Sequence, residues 1–145
     1  MQSKDQIHDW TVANDLDLLT RAMQRTYRQA RVCYHAARDT HTDEQLHAWR
    51  RQVKYSAYQL EVIGSHAPAK VVRRLRRSAH LAKLLGRDHD LALLHTRIEE
   101  ADLDAACALC LTTAIRRRRK KLRQRALRLG GRLYRTKPRM FEPLN

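Results

Sequence analysis

Apolar side chains recur along this chain at intervals of three and four residues, the spacing of one face of an α-helix. No segment alternates apolar and polar residues with period two, so the pattern predicts no β-strand. We therefore expect an all-α fold, an antiparallel bundle of four to five helices. The periodic segments that predict these helices are about residues 14–37, 43–63, 69–85, 88–98 and 102–134.

Residues with capping or breaking tendencies mark the ends of these helices. Thr42 followed by Gln45 has the capping-box spacing that starts the second helix. The glycine- and proline-containing segment 64–68 ends it. Gly86 is placed to terminate the third helix, and Asp88 to cap the amino end of the fourth. An anion near Asp88 would then meet the unpaired backbone N–H groups of that helix start.

The length of 145 residues suits one domain, predicted over residues 13–141, with a loose lead-in at 1–12 and a tail at 142–145. No apolar run approaches the roughly 20 residues of a membrane span, and nothing resembles a signal peptide. Three cysteines, an odd number, fit a reducing compartment. We expect a cytoplasmic protein.

The charge is strongly unbalanced. Thirty Lys and Arg residues against fifteen Asp and Glu residues give a formal charge of +15. A field of this sign attracts polyanions, but it does not select among nucleic acid, an anionic membrane surface and inorganic polyphosphate.

The second predicted helix has a basic face beside its apolar stripe. Trp49 and Val53 belong to the stripe. Like charges one turn apart cost a few tenths of a kcal/mol per pair, and an anionic ligand would remove that cost. The alternative is an ordinary solvated face. The basic face consists of His47, Arg50, Arg51, Lys54 and Tyr58, and Arg28 and Arg31 repeat this placement in the first helix.

The side of the second helix farthest from the stripe carries no charge. Such a surface is suited to being covered by a partner, so we expect a homodimer. The residues of this uncharged face are Ala48, Gln52, Tyr55, Gln59 and Val62.

The last predicted helix is apolar at its start and basic at its end. Arg118 occupies a position where the periodicity requires an aliphatic side chain. The other predicted core positions of this helix are Leu103, Cys107, Leu111, Ile115, Leu122, Ala126, Leu129 and Leu133. Residues 116–139 contain thirteen Lys and Arg and no acidic residue. Either Arg118 extends from the edge of the core, or the counter-anion comes from outside the protein. Cys107 and Cys110 are expected to be small core residues, since a zinc site would need two further ligands.

A His-Asp pair, His89-Asp90, permits an enzymatic alternative. Metal phosphohydrolases of the HD class bind divalent metal with such a pair, another His and a further Asp, here His47 and Asp102 or Asp104. The surrounding arginines argue against it, because such sites need several carboxylates near the ion.

Together these segments resemble the CHAD domain, the conserved histidine α-helical domain. The stretch His47-Ala-Trp-Arg-Arg-Gln-Val-Lys54 is similar to the family's H-x-x-R-K-x-x-K helix. The stretch Leu81-Ala-Lys-Leu-Leu-Gly-Arg-Asp-His-Asp90 is similar to its L-x-x-L-L-G-x-x-x-D turn. The segments at 27–31 and 132–138 are also similar to the corresponding parts of the family's pattern. Arg51 stands where the family has Lys, which keeps the charge but changes the donor geometry.

The resemblance implies an all-α fold of four-helix units and a basic surface that binds inorganic polyphosphate, without catalysis by the domain itself. A full domain has two such units, and this chain resembles the second. We accordingly predict a polyphosphate-binding protein that is not an enzyme and has no cofactor and no metal-binding site. Its expected cytoplasmic location is compatible with an association with polyphosphate granules. The alternatives are a nucleic-acid-binding protein that uses the 116–139 run and, with less support, the HD-like phosphohydrolase. The predicted contacts are His47, Arg50, Arg51, Lys54, Arg28, Arg31, His89, Arg118, Arg119, Arg123 and Lys137, with Asp88, Asp90 and Tyr58 as orienting or capping residues.

Overall fold

The computed structural model describes residues 3–63 and 67–135, with the side chains of all of these except residues 3–14, 16, 60 and 63. The described residues form four helices and no strand, which confirms the all-α prediction. None of these helices is long and apolar enough to cross a membrane. The helices are α1 (Ser3–Thr40), α2 (Asp43–Ile63), α3 (Ala69–Glu100) and α4 (Ala105–Leu133).

Each helix packs mainly against the next one along the chain. Trp49, Val53 and Leu81 are fully buried at the centre of the core. The apolar stripes predicted for α1, α2 and the first part of α3 are confirmed, because their described members, apart from the half-buried Ala57, are buried or packed against the core. The buried members of the first stripe are Met23, Tyr27, Ala30, Tyr34 and Ala37.

An aromatic cluster at the end of α4 joins the last helix to the first two. Tyr134 is buried, and its ring lies 5.6 Å from that of Tyr27 and 5.4 Å from that of Tyr34 between centroids. The hydroxyl of Tyr27 donates to the carbonyl of Leu133 at 3.1 Å, and Trp49 Nε1 donates to the Tyr134 hydroxyl at 3.4 Å. These two hydrogen bonds fix the end of α4 against α1 and α2.

The α1–α2 turn is closed by two local hydrogen bonds. His41 has a φ of 57°, a left-handed conformation, and its N–H donates to the carbonyl of Ala37 at 3.0 Å. This is the usual way for a helix to end, although glycine is the residue that most often does it. Thr42 Oγ1 accepts from the N–H of Gln45 at 3.3 Å, so the predicted capping role of Thr42 is confirmed.

Three predicted helix boundaries were wrong. α1 begins at Ser3, inside the segment predicted to be a loose lead-in. α3 runs without interruption from Ala69 to Glu100, so Gly86 does not end a helix and Asp88 does not begin one. A glycine inside a helix costs only about 1 kcal/mol, which tertiary packing overrides here.

The register predicted for α4 was also wrong at its start and near its middle. Leu103 before the helix and Leu111 within it are exposed, as are Cys107 and Cys110, so the two cysteines are not core residues. The buried stripe starts only at Ile115 and continues through Leu122, Ala126 and Leu133. The first turns of α4 are rich in Ala, Cys and Leu, so composition alone made them resemble a core segment.

Arg118 is exposed and lies outside this stripe. Arg119, one residue later, is half-buried and is the arginine beside the core. A shift of one residue turns a helical position by about 100°, which is enough to exchange the roles of these neighbours.

Candidate anion-binding site

A histidine pair lies between α2 and α3. The ring centroids of His47 and His89 are 5.0 Å apart. Partial removal from water lowers the pKa of His47, and the positive charges of His89, Arg51 and Arg50 lower it further. The neutral form of His47 is therefore favoured to a lower pH than in an ordinary histidine, and a bound anion would favour the protonated form.

Arg50 lies beside this pair in a small cleft between α2 and α3, which is also lined by Leu46, Leu85, Arg119 and the carboxylates of Asp43 and Asp88. Its Nε atom is buried and has no hydrogen-bond partner among the described residues. Buried donors without a partner are rare in folded proteins, and each calls for a physical explanation. A ligand oxygen at the mouth of this cleft would accept hydrogen bonds from the guanidinium group of Arg50, which forms no ion pair with the described residues.

The basic face continues along α2 beyond the cleft. Lys54 Nζ lies 5.7 Å from the centroid of the Tyr58 ring, a cation–π distance, so Tyr58 positions the ammonium group. Arg51 extends toward α1, where its charge lowers the pKa of Cys33 against the larger raising effect of burial. Among the residues that the structure describes, Arg50, Arg51 and Lys54 form no ion pair.

The two arginines predicted on α1 are outside this cleft. Arg28 is exposed, and Arg31 is half-buried. Arg31 Nε, like that of Arg50, is buried and lacks a hydrogen-bond partner in the described part of the chain. The first helix thus supplies a second unsatisfied guanidinium group, but no contact joins it to the histidine pair.

Asp88 is the centre of a buried ion-pair network, which replaces its predicted capping role. Its Oδ1 accepts from Arg119 Nε and from Arg123 Nε, each at 3.1 Å. Asp43, in the first turn of α2, accepts from Arg119 Nη2 at 3.0 Å and from Arg123 Nη2. The side chain of Asp88 is only 6% exposed, whereas that of Asp43 is 62% exposed.

This network provides carboxylate counter-ions from within the protein for the basic segment of α4, for which an external counter-anion had been one of the two explanations. The counter-ions come from α2 and α3 and are 31 to 80 residues away in sequence. Arg119 and Arg123, predicted as ligand contacts, are thereby tied to carboxylates. The pKa of Asp43 is raised by partial burial, but the hydrogen bonds from Arg123 and Arg119 outweigh this and leave it below its ordinary value.

A larger cleft of about 430 Å³ lies where the α1–α2 turn meets α4. Of the residues that line it, only Arg119 and Arg123 were predicted as ligand contacts. The sequence does show the spacing i, i+3, i+4, i+7 of the four basic residues on α4 that line the cleft. The lining residues are His41, Arg116, Arg119, Lys120, Arg123, Gln124 and Leu127.

The remaining predicted site residues lie elsewhere. Asp90 is exposed on α3, and Arg118 is exposed on the side of α4 away from the large cleft. Lys137 lies outside the described residues. Within the described part of the chain, no three or more His, Cys, Asp and Glu side chains come together in a way that would hold a metal ion.

Among the comparisons with known proteins, only the comparison with protein-family models finds a match. No curated protein and no solved structure matches the chain. The model of the CHAD domain matches residues 2–99, which include α1, α2 and nearly all of α3, and hence both histidines of the pair. Domains of this family bind inorganic polyphosphate. Since the match spans well over half of the 145 residues, the chain belongs to the CHAD domain family.

Proposed function

We propose that this protein binds inorganic polyphosphate, without catalysis, through a surface formed by His47, Arg50, Arg51, Lys54 and His89. We name this the α2–α3 basic surface. The observation that carries the proposal is the guanidinium group of Arg50, which lies beside the histidine pair and has no hydrogen-bond or ion-pair partner among the described residues. A phosphate oxygen would accept a charge-assisted hydrogen bond there, the stronger class of hydrogen bond.

The cleft at Arg50 is small, about 30 Å³, so it admits one ligand oxygen and not a whole phosphate group. This size suits a polymer that lies along the surface and directs successive oxygens at successive cations. Arg51 and Lys54 continue the line of cations along α2, and Arg28 and Arg31 extend the positive field on α1. Arg119 and Arg123 would support the surface indirectly, because they hold Asp88 and so fix α3 against α4.

The test is a competition between long-chain polyphosphate and duplex DNA or RNA of equal total charge, at near-physiological salt. Polyphosphate is expected to displace nucleic acid, because the described part of the surface offers only the Tyr58 ring beside Lys54 and the two imidazoles of the histidine pair, not a row of rings on which successive bases could stack. Both affinities should fall steeply with salt, as counterion release requires. Equal displacement at every salt concentration would favour the nucleic-acid alternative.

We also propose that two copies associate through the uncharged face of α2. Tyr55 is 53% exposed and Val62 is 75% exposed, which leaves apolar surface available. Part of the face is already covered, since the Gln59 side-chain amide donates to Thr26 of α1 at 2.9 Å. Light scattering at moderate salt should show a dimer that Tyr55→Glu dissociates, and a monomer with and without polyphosphate would contradict this.

A further inference from the structure

The large cleft between the α1–α2 turn and α4 is separate from the α2–α3 basic surface, although Arg119 lines both this cleft and the small cleft at Arg50. We propose that this cleft is a second anion site that binds a short oligophosphate group, and that the carboxylate of Asp43 competes with the ligand for Arg119 and Arg123. The inference rests on the proposed function for the class of its ligand but uses different residues.

The charges around the cleft exceed what the protein itself neutralises. Four cationic side chains line it: Arg116, Arg119, Lys120 and Arg123. Asp43 and Asp88 pair with Arg119 and Arg123. Arg116 and Lys120 have no ion-pair partner within the described residues, and they lie one turn apart on the same side of α4, where like charges repel. An anion bound between them would remove that repulsion.

The two carboxylates differ in how readily a ligand would displace them. Asp88 is buried behind the arginines and bonds the Nε of each, so it is part of the core. Asp43 is largely exposed and meets the outer Nη2 atoms of both arginines. An incoming phosphate would therefore take the place of Asp43 while Asp88 keeps the guanidinium groups in position. Two fixed guanidinium forks suit the oxygens of a phosphate group.

Size and composition restrict the ligand to a short phosphate chain. A volume of about 430 Å³ holds a small molecule. The lining includes no Tyr, Trp or Phe, so a nucleobase would find no stacking partner. Gln124 adds a neutral donor beside the cations. Inorganic tripolyphosphate and the triphosphate group of a nucleotide share the chemistry that this cleft recognises.

Calorimetric titration with tripolyphosphate tests the site on the full chain. Arg116→Ala with Lys120→Ala should weaken binding about tenfold or more, since each charge-assisted contact contributes substantially. Asp43→Asn should strengthen it several-fold. The matched control is Asp39→Asn, which removes the same charge from an exposed residue that pairs with Arg38 outside the cleft. Adenosine triphosphate should bind no more tightly than tripolyphosphate, and markedly tighter binding would mean base recognition and contradict the proposed ligand class.

The same titrations separate this inference from the proposed function. Arg50→Ala with Lys54→Ala should leave tripolyphosphate affinity nearly unchanged while weakening long-chain polyphosphate. If tripolyphosphate binding is instead lost in that variant and kept in Arg116→Ala/Lys120→Ala, the second site is wrong and the proposed function stands. If the Arg116 and Lys120 changes weaken the binding of tripolyphosphate but the Arg50 and Lys54 changes leave long-chain binding intact, the second site stands and the proposed function is wrong. Equal effects of Asp43→Asn and Asp39→Asn would overturn the competition by Asp43.

Discussion

The ring of Trp49 occupies the space that a side chain at position 130 would need: a Cβ atom built on Gly130 would lie 2.7 Å from Trp49 Cζ2. The ring of Tyr34 is equally close, with Cδ2 at 2.7 Å. Glycine at this position lets α4 approach the aromatic cluster that joins it to α1 and α2. Glycine is usually unfavourable inside a helix, but at position 130 the packing of α4 against Trp49 and Tyr34 requires it.

Gly130→Ala is expected to destabilise the fold by about 1–3 kcal/mol, the usual cost of overpacking a core. Gly86→Ala is the matched control, because Gly86 is also inside a helix but a Cβ there meets nothing within 4 Å. That change should stabilise the protein by about 0.5–1 kcal/mol. Urea denaturation followed by circular dichroism measures both, and a stable Gly130→Ala variant would mean that the rings of Trp49 and Tyr34 readily move aside.

Asp88→Asn should destabilise the protein by about 3 kcal/mol, because it leaves two half-buried arginines without their inner carboxylate. Asp43→Asn removes the outer carboxylate of the same network, which is mostly exposed, and should cost about 1 kcal/mol or less. The contribution of Asp43 exists above the pKa of its unfolded form, near 3.8, and is lost as the pH falls through its lower folded value. Thermal melts at pH 7 and pH 3 compare the two variants, and equal costs at pH 7 would contradict the assigned burial.

Polyphosphate affinity should rise about two- to fivefold as the pH falls from 7.5 to 5.5, because a bound anion stabilises the protonated form of His47. Without ligand, a falling pH has the opposite effect on the stability of the fold. The pKa of folded His47 lies below its usual 6.5, so the fold loses stability as the pH falls below that value. Proton NMR of the histidines should show the pKa of His47 rising when polyphosphate binds.

The control for this pH effect is His80→Gln, which changes an exposed histidine about half a turn around α3 from His89. His47→Gln should reduce the pH dependence of binding, and His80→Gln should preserve it. If both variants keep the full dependence, His47 is not in contact with the ligand.

Cys107 and Cys110 are exposed at the start of α4, whereas Cys33 is half-buried and burial raises the pKa of its thiol. Cys107 and Cys110 should therefore react with iodoacetamide several-fold faster than Cys33 at pH 8, since the thiolate is the reactive form. Mass spectrometry of the labelled peptides gives the three rates. Faster labelling of Cys33 would contradict the packing of α1 against its neighbours.

The helical stripes were predictable from sequence because they depend on local periodicity. In α1 and α2, the spacing of Tyr27, Tyr34 and Trp49 already places them on buried faces. The position of Asp88 was not predictable in this way. Gly86 and Asp88 together look like a helix end and a cap, yet the contacts that bury Asp88 come from Arg119 and Arg123, more than thirty residues later.

Part of the binding site could also be predicted from local periodicity. The basic face of α2 follows from spacing within one helix, whereas the approach of His47 and His89 depends on how α2 and α3 pack. In α4, a one-residue error in register assigned the core position to Arg118 in place of Arg119. Since α4 is basic at nearly every position around its middle, composition could not identify which arginine faces inward.

Binding of polyphosphate at the α2–α3 basic surface is tested by the affinity of Arg50→Ala/Lys54→Ala for long-chain polyphosphate at near-physiological salt. The matched control is Arg76→Ala/Lys83→Ala, which also removes one Arg and one Lys, both exposed on α3 and roughly 120–140° around that helix from His89. Two charge-assisted contacts contribute about 1.5–3 kcal/mol each, so the test variant should bind about 100-fold more weakly or worse, with unchanged circular dichroism. The control should lose less than about tenfold, as expected from net charge alone. Equal losses in the two variants would contradict a defined site on the α2–α3 basic surface.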